Sequence, residues 1–323
     1  MRHNNIQEVC FVDTRSYETF VPCAAADHAS NLLVRPVMLA GGGKRLFSSE
    51  AAMEKYLLSL RGNQPPYVIG DALDIDNRLS CERIGCANIY TFSPRWISCR
   101  KRVIYFCGGA FVREPAAKHI KFVDKLAAAA RAEISVFCYP KAPTYTYADT
   151  YELAARYYSR LAEKYGAENI ILMGDGAGGS IALSLCAFLK EAGLPAPGGV
   201  AAVSPVCDLS LSNPALEGKA RRDPALGIDG LSLAIKKWCG ARTPLDKLLN
   251  PMDMEVSALP ELLLLCGTEE LLTPDVRLFA KHVNLCGGKA EVRLYKGMYH
   301  SFPLYPLKAS AAATEYIAAW LNR

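Results

Sequence analysis

The sequence predicts an α/β fold built on a mostly parallel central sheet with helices on both faces. Three observations carry that expectation. Short apolar runs alternate with helical segments from residue 102 to residue 204, the pattern of strands buried on both faces by crossover helices. Two of those runs, at 102–107 and 169–174, lead directly into glycine-rich turns, and sites in open parallel sheets lie at such strand ends. Composition agrees: 51% of the 323 residues are hydrophobic and 21% are charged, a globular balance that excludes a disordered chain.

The first 60 residues are irregular. Helices are expected around 24–39 and 48–60, separated by Gly41, Gly42 and Gly43. This triple glycine is not a phosphate loop. Lys44 is followed by Arg45, where a Ser or Thr would hold magnesium, and the required spacing is absent. It reads as a hinge. Strand-like pieces follow at 79–84 and 88–92. Then come a buried strand at 102–107, a helix at 115–132, a strand at 134–139, a helix at 149–165, a strand at 169–174, a helix at 178–192 and a strand at 199–204. A polar, proline-rich interval at 208–259 breaks the alternation. The chain closes with a strand at 261–266, a helix at 275–286, a strand at 290–295 and a helix over 306–322. An insertion of that length between two strands reads as a lid. The expected organisation is an N-terminal cap segment at 1–65 and a core at 66–323, with 208–259 as a cap insertion.

Other classes are set aside by charge and cysteine usage. The net charge of +5 is spread out with no long run of one sign, so a nucleic-acid footprint is not expected. The pI near 8.5 is only mildly basic. The 12 cysteines form no CxxC pair, which excludes zinc ribbons and thioredoxin-type motifs. Several sit in apolar runs and read as reduced, buried thiols of a cytoplasmic protein. The N-terminal residues carry no apolar stretch of signal-peptide kind, and no run of ~18 apolar residues predicts a membrane span. No metal constellation is present and no cofactor is expected; the oligomeric state is not legible.

Four strand ends carry unusual sequence. In IYFCGGAFV (104–112), two glycines follow a strand, so backbone N–H groups are free to cradle a developing negative charge. In ILMGDGAGGSIALSL (171–185), a strand enters a sharp turn and then a helix. Gly174, Gly176 and Gly179 formally match a dinucleotide fingerprint, but no acid-ended strand follows at the ~20-residue distance that motif needs. In CGTEELLTPD (266–275), Glu269 and Glu270 follow a strongly apolar strand. In LYKGMYHSFPLY (294–305), His300 stands on a loop ahead of the last helix.

Their order, oxyanion loop, nucleophile elbow, acid, histidine, is that of an α/β-hydrolase. Over roughly residues 100–320 the chain resembles the hormone-sensitive-lipase-like esterases, the fold-3 group of α/β-hydrolases. Cys107 to Ala110 reads CGGA where the group has HGGG or HGGA, and Gly174 to Gly179 reads GDGAGG where it has GDSAGG. YPKAP at 139–143 is similar to YRLAP, with Asp149 after it, and SPVCDLS at 204–210 is similar to SPWLDLS. GTEELL at 267–272 resembles the acid segment, with Glu269 at the acid position, although the sequence leaves open whether Glu269 or Glu270 is the acid. GMYHSF at 297–302 is similar to GMPHVF, with His300 at the catalytic histidine. The resemblance implies an α/β-hydrolase fold with a helical cap and a metal-free serine mechanism on short-chain acyl esters. Gly108, Gly109 and the N–H of Ala177 would be its oxyanion donors.

The sequence departs from that pattern at two places. Gly176 occupies the serine position, and a residue without a side chain forms no acyl-enzyme. Loss of such a serine costs about 10⁶ in turnover, as the subtilisin case shows. Cys107 replaces the first histidine of the oxyanion motif; its place behind the loop argues against a substitute nucleophile. Ser180 lies one helical turn past the elbow and is expected to face the helix. The implied protein is a short-chain esterase that is inactive or residually active, or else a pseudoenzyme that binds a small acyl ester or apolar ligand. A change at Gly176 alone fits engineered inactivation; the second change at Cys107 favours natural loss.

Overall fold

The computed structural model describes residues 17–22, 34–62, 64–70 and 72–323. Nine strands form one sheet: β1 (Glu18–Val21), β2 (Arg78–Ile84), β3 (Ala87–Ser93), β4 (Arg102–Phe106), β5 (Glu133–Cys138), β6 (Ile170–Asp175), β7 (Gly199–Val203), β8 (Leu262–Gly267) and β9 (Ala290–Tyr295). Their order is β1-β9-β8-β7-β6-β4-β5-β3-β2. Pairing is antiparallel only between β2 and β3 and between β3 and β5; every other pair is parallel. The parallel strands β6, β7 and β8 are buried along their whole length, so their sequences are continuous apolar runs without alternation. Edge strand β2 has only exposed and half-buried residues and turns back through Gly85 in the left-handed region.

Side chains of one strand leave to opposite faces, giving two cores. Ile104 and Phe106 enter one cluster while Val103 and Tyr105 enter the other. The Val103 face is covered by α4 (Ala117–Ala130) and α10 (Lys308–Leu321). The Ile104 face is covered by α5 (Tyr147–Tyr165), α6 (Ala177–Glu191) and α9 (Thr273–Leu285). Helix α5 starts where Asp149 accepts from the Thr146 N–H at 2.8 Å, a capping box that gives Asp149 a structural role.

Above the sheet's carboxyl edge, two distant pieces of chain meet. The first comprises the helical residues 34–40 (α1), α2 (Gly43–Phe47) and α3 (Glu50–Leu60). The second, within 208–259, contains α7 (Ala215–Ala220) and α8 (Asp229–Cys239). Gly230 of α8 lies against the backbone of Leu46 and Phe47, closer than a β-carbon would permit. Trp238 of α8 stacks on Phe111 of the core at 4.9 Å and is fully buried, which fixes this insertion to the sheet.

From residue 78 onward each expected element is present with its ends within two residues. One expectation is corrected. The segment 1–65 is not only cap, because β1 lies within it and extends the sheet beside β9 in parallel. Four residues at a sheet edge are too few to show a period. The helix expected at 24–39 is described only from residue 34; its first part lies outside the described residues. The ten cysteines among the described residues are all free thiols. Among those residues no helix is long and apolar enough to cross a membrane.

Candidate active site

The site is built on the turn between β6 and α6. Gly176 adopts φ 51° and ψ −120° and donates its N–H to Val203 O at 2.8 Å. This backbone is strained for a residue with a side chain, and it lifts position 176 out of the sheet. The neighbouring glycines permit the close crossing that makes the turn sharp. A β-carbon on Gly178 would collide with the backbone of Phe106, and one on Gly174 with that of Gly178. Gly174 and Gly178 therefore serve strand–helix packing.

A β-carbon at Gly176 would instead point at the His300 side chain, 3.3 Å from its Nε2. His300 sits after β9, largely buried. Behind it, Nδ1 stands 4.0 Å from Oε2 of Glu270, which is fully buried. Neither Nδ1 nor Glu270 Oε1 has a hydrogen-bond partner among the described residues. Ser204 organises this pair: it donates to Glu270 Oε2 at 2.7 Å and accepts from the Ser301 N–H at 3.0 Å. Burial pushes the Glu270 carboxyl up to about 8, against the Ser204 hydrogen bond, with the Asp223 charge adding to the rise. Burial also lowers His300, while the negative charges of Asp223 and Asp175 oppose the drop. Both groups are thus favoured in their neutral forms.

The expectation that Glu269 is the acid is corrected. Glu269 is partly exposed and turns toward Arg222, at 3.9 Å, while its neighbour Glu270 faces His300. Successive side chains after a strand point in different directions, and only one of the two can reach the loop after β9.

Gly108 is also corrected. Its N–H donates to Asp175 Oδ1 at 2.9 Å and is therefore spent on holding the loop. Gly109, at φ 129°, and Ala177, at the first position of α6, have no acceptor for their N–H groups among the described residues. They are the two expected donors whose N–H groups stay unpaired among the described residues. Asp175 anchors more than Gly108: Tyr105 donates to its Oδ1 at 2.7 Å, Ser301 Oγ to its Oδ2 at 3.3 Å, and His119 Nε2 approaches Oδ2 at 3.5 Å. These partners hold its carboxyl well below the usual range despite burial. Where the expected histidine support at position 107 is missing, Tyr139 donates to the Cys107 carbonyl at 3.0 Å. The Cys107 thiol is buried and pushed well up, so it is no nucleophile. Ser180 is committed inside the helix, donating to Val206 O at 2.8 Å.

These groups open into a cavity of about 280 Å³. Its floor is Gly109, Gly176, Ala177 and His300; its roof is Met38 and Phe47 from the N-terminal segment and Leu226 and Leu231 from the insertion. Residues absent from the sequence-based set are Asp175, His119, Ser204 and Tyr139. Asp175 stood inside the glycine motif, but nothing in one sequence distinguishes a hub from a turn residue; the other three are brought in by tertiary packing alone.

A mostly parallel sheet, a strained strand-to-helix elbow, unpartnered N–H groups beside it and an acid–histidine pair at later strand ends define an α/β-hydrolase. The comparisons agree. A family model described as alpha/beta hydrolase fold matches residues 103–304. The chain is 30% identical over 213 residues to Esterase LipU of Mycobacterium tuberculosis, covering 63% of this chain and 70% of that protein. It is 27% identical over 210 residues to an esterase of Acinetobacter venetianus, covering 64% and 69%. A crystal structure of a hormone-sensitive lipase from a metagenome library shares the fold, with a TM-score of 0.76 at 23% identity over 92% of this chain and 99% of that one. The chain belongs to the α/β-hydrolase fold family.

Proposed function

We propose that this protein is a carboxylesterase-type scaffold for short-chain acyl esters whose hydrolytic chemistry is disabled at one position, Gly176. The observation that carries the reading is the direction of the missing side chain. A β-carbon at 176 would face His300 Nε2 at 3.3 Å, with the N–H groups of Gly109 and Ala177 beside it. A serine hydroxyl there would give its proton to His300 as it attacked a carbonyl, Glu270 would orient the ring from behind, and the oxyanion would rest on the two N–H groups. The chain as written has the base and the donors without the attacking oxygen. Any residual hydrolysis would use His300 to activate a water over Gly176, at a small fraction of a serine enzyme's rate.

The test compares hydrolysis of p-nitrophenyl acetate and butyrate by the protein and by Gly176→Ser, with circular dichroism to show that both are folded. Turnover is expected to rise on the order of 10³-fold or more in the serine variant. A folded Gly176→Ser protein that hydrolyses neither ester overturns the proposal.

A second reading, binding without turnover, is favoured by the cavity itself, which two separate chain segments still roof with apolar side chains. It predicts a saturable rise in Tm with short-chain esters or their carboxylic acids, and no product.

A further inference from the structure

Gly176 removes one reaction from this site and leaves the parts of another. We infer that the site as it stands is suited to carbon-acid chemistry: it takes a proton from the carbon beside a carbonyl and holds the enolate that results. The inference rests on the proposed function for one premise, that the cavity receives an acyl-type carbonyl.

Three observations lead there. First, a base faces the open place over Gly176. His300 Nε2 lies 3.3 Å from where a side chain on residue 176 would begin, and both residues line the cavity, so a ligand carbon seated over the glycine faces that nitrogen. Second, the N–H groups of Gly109 and Ala177 have no acceptor among the described residues, and an enolate oxygen needs the same donors as a tetrahedral oxyanion. Third, no serine hydroxyl or cysteine thiol among the described residues around the cavity is free to attack. The Ser180 hydroxyl is bonded to Val206 O, that of Ser301 to Asp175, and the Cys107 thiol lies buried behind the loop. A carbonyl seated on these donors therefore meets a base and no free serine or cysteine among the described residues. That pairing, a base with an oxyanion cradle in an apolar cavity, is what enolisation requires.

The step balances without a co-reactant. Nε2 of His300 takes the proton from the α-carbon. The electron pair of that C–H bond becomes the C=C bond of the enolate, and the carbonyl π pair moves to the oxygen held by Gly109 and Ala177. Return of a proton from the imidazolium to carbon restores the carbonyl compound, so a prochiral or chiral α-carbon is exchanged or epimerised. Where the β-carbon carries a hydroxyl, the enolate instead expels it as hydroxide, which takes the imidazolium proton. The products are an α,β-unsaturated carbonyl compound and water.

Phenylacetone is a suitable probe, because a ketone undergoes no hydrolysis. In deuterated buffer, loss of its benzylic proton signal by NMR is followed with the full chain, His300→Ala, His300→Asn and Gly176→Ser, each checked for fold by circular dichroism. We expect exchange at least tenfold above buffer for the unaltered chain. It should fall at least tenfold in whichever His300 variant folds, and also in Gly176→Ser, whose side chain occupies the place of the α-carbon. Exchange at the buffer rate, or exchange that survives loss of His300, overturns the inference. The two readings fail separately. Ester hydrolysis by Gly176→Ser without exchange by the unaltered chain sinks this inference alone. Exchange without hydrolysis by Gly176→Ser sinks the esterase reading and leaves the carbonyl-binding cavity standing.

Discussion

Two buried carboxyl groups near the site obey opposite rules, and each can be read from its partners. Asp175 receives hydrogen bonds from Tyr105, Gly108 and Ser301 and lies beside His119, so its charged form is favoured and its contribution to stability is lost only in acid. Glu270 has one strong donor, Ser204, and its neighbour His300 is held toward the neutral form. Its carboxyl is pushed up from an ordinary 4.5 to about 8. The sign follows from proton binding: between those values the folded chain keeps a proton that the unfolded chain releases, so stability falls as pH rises across the interval. Asp275, pushed up to about 6, acts in the same sense. Glu270→Gln removes only the Glu270 contribution, and its amide oxygen can still accept from Ser204. Melting curves at pH 5.5 and pH 9 are expected to show the variant gaining several degrees in Tm on the unaltered chain as pH rises. A difference in Tm that stays constant across that range would show that Glu270 ionises freely in the folded protein. This scale was the least legible in the sequence. His300 and Gly176 stood in recognisable surroundings, but adjacent Glu269 and Glu270 differ only in the way the chain turns after β8. Gly108 looked like a donor until its N–H was seen to be taken by Asp175.

At the scale of elements, the turn between β6 and α6 shows why glycines cluster at one place for different reasons. Gly178 lets the first turn of α6 lie on the end of β4, where a β-carbon would fall inside the Phe106 carbonyl group. A β-carbon at Gly176 would meet no backbone closer than 3.9 Å and only the His300 ring at 3.3 Å, so glycine is favoured there mainly by the positive φ. Gly178→Ala is therefore expected to cost about 3 kcal/mol or more and to give aggregated or molten protein, because the clash is with backbone that cannot rotate away. Gly176→Ser should fold. Denaturant unfolding of the two variants separates these cases, and equal stability would mean that α6 shifts to relieve the contact. Elements were the most legible scale, since buried parallel strands have to be continuous apolar runs and the helices between them have to be amphipathic. The exception, β1, is four edge residues whose partner β9 lies more than 250 positions along the chain. No local pattern marks a pairing of that kind.

Across the whole molecule, the cavity is shared by segments that the sequence separates. Its floor comes from strand ends between residues 109 and 300, and its roof from α1, α2 and the insertion before β8. Which roof side chains face inward was not legible, because a cap has neither the period of a sheet nor a fixed register against it. Phe47 is the residue at which both pieces meet. It closes α2, is buried, lines the cavity and abuts Gly230 of α8. Truncating it acts at two levels. As a core aromatic it should cost about 3–5 kcal/mol, lowering Tm by several degrees or more. As a roof residue it should lengthen the space above Gly176, and the most direct reporter is acyl-chain preference. In the Gly176→Ser background, Phe47→Ala is expected to raise the ratio of kcat/KM for p-nitrophenyl hexanoate over acetate by about tenfold, the gain that one or two methylenes bring in an apolar pocket. A folded double variant whose preference is unchanged would mean that the acyl chain leaves the site another way, between the loop carrying Arg113 and the one carrying Tyr305, and that the two roofing segments stabilise the fold without measuring the ligand.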